Sequence, residues 1–270
     1  MPELPEVETS RRGIEPHLVS HEITEIVVRN PKLRWPIPSI ITNCIGHRIT
    51  AVKRRAKYLL VETQAGTILI HLGMSGSLKV LAQHETVLKH DHVDICLSSG
   101  MCLRLNDPRR FGAVLYTELP WQEHKLLTSL GPEPLSDDFS PSLLFQSAKR
   151  RSIPVKQLIM DNHVVVGVGN IYACEALFRS GIHPQKAANK VSATRYANLC
   201  QHIKEVLAQA IEQGGTTLKD FSNADGKPGY FKQELAVYGR QNQACHSCGE
   251  HIQATRIGQR NSFFCPNCQR

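Results

Sequence analysis

Cys245-His246-Ser247-Cys248 and Cys265-Pro266-Asn267-Cys268 bracket the sixteen residues from Gly249 to Phe264. Each Cys-x-x-Cys turn points two thiolates at one ion. A hairpin between the pairs brings all four together in the tetrahedral geometry of a zinc ribbon. Four thiolates leave no open coordination position. Cys245, Cys248, Cys265 and Cys268 are therefore expected to hold one structural zinc rather than a catalytic one. The enclosed segment carries Arg256 and Arg260 beside Phe263 and Phe264. A basic hairpin tip suits a phosphate backbone, and a merely solvated hairpin has the same composition. The other five cysteines, Cys44, Cys96, Cys102, Cys174 and Cys200, lie scattered in mostly apolar contexts and read as small core hydrophobes. This usage fits a reducing cytoplasm better than a secreted, disulfide-bonded chain.

The ribbon ends a chain of 270 residues, enough for one large or two ordinary domains. An apolar content of 41% excludes a disordered chain. Lys and Arg number 32 against 24 Asp and Glu, a formal net charge of +8. That balance points to a polyanionic partner, nucleic acid first. No apolar run reaches membrane-spanning length, and the acidic start lacks the apolar region of a signal peptide. A membrane partner is not expected.

The chain changes character near residue 131. Before it run short alternating apolar segments: Glu22 to Val28, Tyr58 to Thr63, Thr67 to Leu72, Val93 to Leu97, Met101 to Leu105 and Gly112 to Tyr116. They predict an antiparallel sandwich or barrel. One helix is expected ahead of them, with Pro5 at its first position and its end near Gly13 and Pro16. The stretch Gly131 to Pro141 reads as a linker. Helices are then expected from Pro154 to about Asp161, from Asn170 to Ser180, and from a Ser192 cap to Gly214-Gly215. The last carries Leu199, Ile203, Val206, Leu207, Ala210 and Ile211 on one face.

Positive charge clusters at Lys53-Arg54-Arg55 with Lys57, at Arg109-Arg110, and at Lys149-Arg150-Arg151. Each alone is an ordinary solvated face; together they suggest a shared phosphate-binding surface. The turn Asn106 to Gly112 sets Phe111 beside two arginines. Phe111 is either a wedge between base pairs, with Arg109 filling the gap left by an extruded base, or the start of the next strand. Gly167-Val168-Gly169-Asn170 precedes a helix, where exposed amides can bind phosphate. His90-Asp91-His92 lacks a third metal ligand and reads as a strand opening or a phosphate contact from His90.

The chain opens Met1-Pro2-Glu3-Leu4-Pro5-Glu6. Methionine is normally removed before a small residue, which leaves the secondary amine of Pro2 at the start, beside carboxylates. A terminal amine has a reference pKa of about 7.7–8.0 against about 10.4 for lysine, so roughly a tenth to a sixth is neutral at pH 7. The proline amine is somewhat more basic than that reference. The positive end of the following helix disfavours its protonated form. The stretch reads either as a catalytic amine or as a disordered start.

Taken together, these features resemble the formamidopyrimidine-DNA glycosylase family. The matching residues are MPELPE at the start, RRAKYL (Arg54 to Leu59), HLGMSG (His71 to Gly76), DPRRFG (Asp107 to Gly112), VGNIYA (Val168 to Ala173), DGKPGYF (Asp225 to Phe231) and the cysteine pairs. They run in order through the whole chain.

The resemblance implies an α+β, two-lobed fold. An N-terminal catalytic β-sandwich with an initial helix (1–131) precedes a helix-two-turns-helix DNA-binding domain (132–225) and a C-terminal zinc finger (226–270). It implies a bifunctional glycosylase and abasic-site lyase for oxidised purines in double-stranded DNA, acting as a monomer. Pro2 is then the Schiff-base nucleophile and Glu3 the acid near the sugar. Lys57 serves the first elimination and Arg260 the second, where a permanently protonated guanidinium positions charge rather than donating a proton. His71, Met74, Arg109 and Phe111 surround the flipped base and the vacated stack. His90, Arg151, Lys156 and Asn170 join Arg109 and Arg260 as backbone or site contacts. Residues Thr216 to Tyr230 form a loop closing over the damaged base. Two rival readings stand beside this one: an endonuclease VIII-type glycosylase for oxidised pyrimidines, and a non-catalytic zinc-ribbon DNA-binding protein.

Overall fold

The computed structural model describes residues 2–214 and 235–270. The expected base-covering loop, Thr216 to Tyr230, lies outside the described residues, as does Met1. The chain divides into two compact units, one built on residues up to Thr128 and the other on Ser129–Glu212 with the described residues from 235 onward.

The first unit is the expected β-sandwich. Helix α1 (Leu4–Leu18) leads into strands β1 (Ile23–Val28), β2 (Ile49–Arg55), β3 (Tyr58–Thr63), β4 (Thr67–His71), β5 (Ser77–Ala82), β6 (Asp91–Leu97), β7 (Met101–Asn106) and β8 (Ala113–Thr117). They form two four-stranded sheets, β1-β6-β7-β5 and β2-β3-β4-β8. All pairings are antiparallel. Period-two alternation puts Val93, Ile95 and Leu97 with Leu103 and Leu105 on the inner face of one sheet. Leu59, Val61, Ile68, Ile70 and Val114 face them from the other.

Helix α1 adds Val7, Ile14 and Leu18 to the same core. This explains why it runs past both expected stop signals. Gly13 and Pro16 lie inside it, and Ile14 and Leu18 are fully buried. Burying two large aliphatics gains about 1.5–3 kcal/mol each. That offsets a cost of about 3 kcal/mol for an interior proline. Pro5 falls at the second helical position, behind an N-cap at Glu3.

The basic run Lys53-Arg54-Arg55 ends strand β2. Strand β6 is buried on both faces. Its outward Asp94 takes a bidentate pair from Arg104, at 2.8 Å for each bond, and a third bond from Arg29 at 2.6 Å. Arg104 also donates to the carbonyls of Glu85 and Thr86, so a loop covers this face.

The second unit is helical, with a terminal hairpin. Helix α2 (Pro141–Ala148) starts where the linker was expected to end. Ser140 caps it by accepting from Leu143 N–H, and Pro141 suits the first turn. Helices α3 (Val155–Ile159), α4 (Asn170–Arg179) and α5 (Ala193–Glu212) follow. The α5 stripe is buried as expected, with Tyr196 and Cys200 added to it. Strands β9 (Gln253–Ile257) and β10 (Arg260–Phe264) form the antiparallel hairpin between the cysteine pairs. The hairpin module packs on α4: Cys174 lies in one cluster with Val237, Cys245, Ile252 and Cys265. Beside Cys174, the buried Glu175 carboxylate accepts from the backbone N–H groups of Ala236, Val237 and Tyr238, at 2.8, 3.0 and 2.9 Å.

Candidate active site and nucleic-acid interface

In the first unit the candidate groups lie at the start of α1 and around the turns that follow β2, β4 and β7. Pro2 is buried and directly precedes Glu3, the N-cap of α1. Glu3 and Glu6 form a capping box. In it Glu3 N–H donates to Glu6 Oε2 at 2.8 Å. Two orphan donors at the helix start are thereby satisfied, which fixes the chain direction at Pro2.

Lys57 sits in the turn joining β2 to β3, beside Ala56 in the left-handed region at φ 52°. Arg54 braces that turn, donating to Ala56 O at 3.0 Å and to Glu8 Oε2 of α1 at 3.0 Å. Burial alone would raise the Glu8 carboxyl, but Arg11 and Arg54 outweigh it and hold the group below its usual range. The helix carrying Pro2 and the turn carrying Lys57 thus share one ion-pair bridge.

His71 ends β4, with its ring 4.9 Å from that of Tyr58. Burial, then the nearby Lys57 and Arg34 charges, push its pKa down to about 4. Its Nδ1 accepts from Gly73 N–H at 2.9 Å. The β4–β5 loop then exposes Met74, and the turn after β7 exposes Phe111 at 45%. The Arg109 guanidinium lies 5.0 Å from the centre of the Phe111 ring, a cation–π contact. Phe111 is a tip residue: β8 begins only at Ala113.

Sequence reading missed what holds these tips together. Asp107 is fully buried. Its carboxylate accepts from Ser75 Oγ at 2.8 Å and from Gly112 N–H at 2.7 Å. Arg109 N–H donates back to Ser75 Oγ at 3.3 Å. Asp107 N–H reaches His90 O at 3.0 Å, and the Asp107 carbonyl pairs with His92 Nε2 at 2.8 Å. One residue therefore ties the Met74 loop, the Arg109–Phe111 turn and His90 into a single frame. The Asp-Pro dipeptide, a turn opener, was the available signal.

Arg34 was also missed. Its N–H donates to Gly112 O at 3.0 Å, and its guanidinium lies 4.5 Å from the Trp35 ring centre. It lines a cavity of about 610 Å³ with Leu33, His71, Gly73, Met74 and Phe111.

In the second unit Lys156 is 1% exposed. Its Nζ donates to Asn170 Oδ1 at 2.5 Å and to Ser262 Oγ at 2.6 Å. Asn170 Nδ2 donates to Asn261 O at 3.0 Å. These bonds join α3, the start of α4 and β10, so Lys156 is a buried clasp and Asn170 its neighbour. Arg260 is exposed at the head of β10 and, with Lys156, Gln157 and Met160, lines a cavity of about 600 Å³. Arg151 is paired with Asp161 at 2.8 Å on the surface.

The four cysteine sulfurs lie within 4.8 Å of one another. Tetrahedral zinc with bonds of about 2.3 Å sets its sulfurs about 3.8 Å apart. The Cys245–Cys268 and Cys248–Cys265 separations are 4.0 and 3.5 Å, so the donor set and its spacing fit one structural zinc.

In chain order, then, a β-sandwich led by a proline-headed helix is followed by a helical unit and a four-cysteine hairpin whose donor set is that of a zinc finger. Residues 1–114 match the model of the formamidopyrimidine-DNA glycosylase N-terminal domain, and 130–222 that of the corresponding H2TH domain. Residues 242–270 match the zinc finger found in FPG and IleRS. The chain belongs to the formamidopyrimidine-DNA glycosylase family. It is 60% identical to formamidopyrimidine-DNA glycosylase of Alteromonas mediterranea over 270 residues, covering all of both chains. Identity to that of Shewanella piezotolerans is 56%, again over both full lengths. Among solved structures, the MutM (Fpg) protein of Thermus thermophilus superposes with a TM-score of 0.89 at 36% identity, covering 99% of this chain and 98% of that one. Lactococcus lactis Fpg in complex with abasic-site DNA gives 0.90 at 30% identity, with full coverage of both chains. The G226P mutant of that protein, bound to Fapy-dG DNA, gives 0.92 at 31%, again with full coverage.

Proposed function

We propose that this chain is a bifunctional DNA glycosylase and abasic-site lyase of base excision repair, acting on formamidopyrimidines and 8-oxoguanine in duplex DNA. The carrying observation is the Pro2–Glu3 pair at the start of α1, in a chain 60% identical over its whole length to a named formamidopyrimidine-DNA glycosylase.

Basic surface captures the duplex through its phosphates, in a salt-dependent way. Met74, Arg109 and Phe111 enter the stack, and the damaged nucleotide turns out at a cost of a few kcal/mol. With Met1 removed, the neutral Pro2 nitrogen attacks C1′. The bond from C1′ to the base breaks, and the base leaves with its electron pair and takes up the proton that the Pro2 nitrogen sheds. Glu3 passes a proton to the sugar ring oxygen as the ring opens. The resulting iminium carries a fixed positive charge that acidifies the adjacent C2′–H. Loss of that proton expels the 3′ phosphate, and a second elimination expels the 5′ phosphate. Lys57 and Arg260 hold positive charge near the leaving phosphates, while His90, Arg151, Lys156 and Asn170 serve the backbone contacts, Lys156 by clasping Asn170 to β10. Cys245, Cys248, Cys265 and Cys268 hold zinc, which supplies hairpin stability and no chemistry.

The work divides among residues 1–131 for catalysis, 132–225 for duplex binding and 226–270 for the zinc finger. The protein acts as a cytoplasmic monomer on chromosomal DNA. Among the described residues no helix is long and apolar enough to cross a membrane.

Borohydride trapping tests the reading. The native protein should form a covalent adduct with an 8-oxoguanine duplex in preference to a thymine-glycol duplex. Blocking the Pro2 nitrogen by acetylation should abolish the adduct while binding persists. A tagged chain with Met1 retained that nicks at the normal rate would overturn the N-terminal mechanism.

A further inference from the structure

Gly73 stands between two groups already described and carries no side chain of its own. It lies in the left-handed region at φ +63°. A Cβ placed on it would fall well inside contact distance of the Phe111 carbonyl and the Gly112 nitrogen. Those are backbone atoms of the turn that Asp107 already holds, so they cannot swing aside as a flexible side chain would. The same residue's N–H donates to His71 Nδ1 at 2.9 Å. An imidazole nitrogen that accepts a hydrogen bond carries no proton, so in the neutral ring the proton belongs to Nε2.

We propose that Gly73 is a positioning residue: its amide holds His71 as the neutral Nε2–H donor, and its bare Cα lets the same loop seat against the Phe111 peptide. One residue then sets both the ring that offers a hydrogen bond to DNA and the base of the wedge. The groups facing the ring support a neutral imidazole. Lys57 comes from the β2–β3 turn, Arg34 from the segment after β1, and the Tyr58 ring packs at 4.9 Å. Burial first, and then the two cations, disfavour a charge on this ring. The donor therefore keeps one form from pH 6 to pH 8, and its strength does not follow cytoplasmic pH.

The inference rests on His71 facing DNA in a lesion-processing enzyme, and its tests separate it from that reading. Long-range proton–nitrogen correlation spectra of the His71 ring are recorded on the full-length, zinc-loaded, DNA-free protein. A protonated Nε2 and a bare Nδ1, unchanged from pH 8 to pH 6, are expected. A protonated Nδ1, or an imidazolium at pH 7, overturns the assignment whatever the protein does to DNA. Binding is then measured on a duplex with a tetrahydrofuran abasic analogue. His71→Gln places an amide N–H near the Nε2 position, and His71→Asn places one near Nδ1. Gln should bind at least about tenfold more tightly than Asn, the worth of one hydrogen bond to a charged acceptor. Asn equal to or better than Gln refutes the tautomer. Gly73→Ala should mix the two tautomers and weaken the same duplex at least about tenfold. A Gly73→Ala protein with the wild-type ring spectrum and affinity rejects the positioning role. If that variant does not fold, the wild-type spectrum and the Gln–Asn pair decide. A wild-type protein that neither binds nor nicks lesion duplex would instead refute the glycosylase reading, and the ring spectrum would stand apart from it.

Discussion

Replacing Asp107 by asparagine removes one hydrogen-bond acceptor from the middle of the frame beneath Met74, Arg109 and Phe111. The native carboxylate accepts from Gly112 N–H at 2.7 Å and from Ser75 Oγ at 2.8 Å, with no solvent exposure. An asparagine amide can still accept from Gly112 N–H, but it must turn its NH2 toward Ser75 Oγ, so both bonds lose the charged acceptor and the Ser75 hydroxyl proton loses its partner. Hydrogen bonds to a charged group contribute about 1.5–3 kcal/mol each, and a buried donor left unpaired costs about 1–3 kcal/mol. The expected loss is therefore about 2–4 kcal/mol. A domain stable by about 5–15 kcal/mol still folds after that loss. Urea titration should show a lower midpoint at an unchanged slope. Single-turnover excision from an 8-oxoguanine duplex should fall at least about tenfold, while affinity for undamaged duplex changes little, because phosphate capture does not depend on the register of the tips. A wild-type urea midpoint together with wild-type excision would refute the claim that Asp107 carries this frame. A lower midpoint with unaltered excision would confine Asp107 to stability.

Phe111→Ala should leave the melting temperature nearly unchanged, since the ring is 45% exposed, yet reduce excision at least about tenfold; both are read on one preparation by calorimetry and single-turnover assay. Cys248→Ser should lower bound zinc below the one ion per chain expected of the native protein by elemental analysis, and weaken duplex binding, because structural zinc contributes folding energy outright. Asp94 gives a pH test. Burial alone would raise its carboxyl, but the Arg29 and Arg104 bonds outweigh it and the folded value lies below 3.8. Its stabilising contribution is therefore complete above that pH and disappears as pH falls through the folded value. Urea midpoints between pH 6 and pH 3 should show Asp94→Asn less stable throughout and less sensitive to acid below about pH 4; an unchanged acid limb would contradict the assignment.

Much of the fold was legible because its signals are local. The cysteine spacing defines the hairpin, the apolar stripe of α5 repeats at helical period, and β3, β6 and β7 alternate or run apolar between turns. What stayed hidden depends on contacts distant in sequence. Ile14 and Leu18 carry α1 through Gly13 and Pro16 because a sandwich waits to bury them. Lys53-Arg54-Arg55 reads as a solvated face because nothing nearby reveals that Arg54 pairs across to Glu8. Pro141 reads as the close of a linker, and the helix that it opens behind the Ser140 cap was not expected. The candidate site follows the same rule. Its side chains at exposed tips were readable from type and motif. The groups that place them were not: Asp107 reaches Ser75, Lys156 reaches Ser262, and Glu175 reaches the amides of 236–238 only in three dimensions.

The frame under the exposed tips has a consequence for how the molecule can change. Met74, Arg109 and Phe111 project outward, while Asp107 and the backbone of Gly73 and Gly112 lie buried beneath them. Tip identity and frame integrity are separate variables. A library that randomises positions 74, 109 and 111 changes the exposed tips at little risk to folding. The same number of changes at 73, 107 and 112 samples mostly collapse. Diversification of this enzyme, natural or engineered, has three inexpensive positions to work with, and they are the ones proposed to meet the damaged pair.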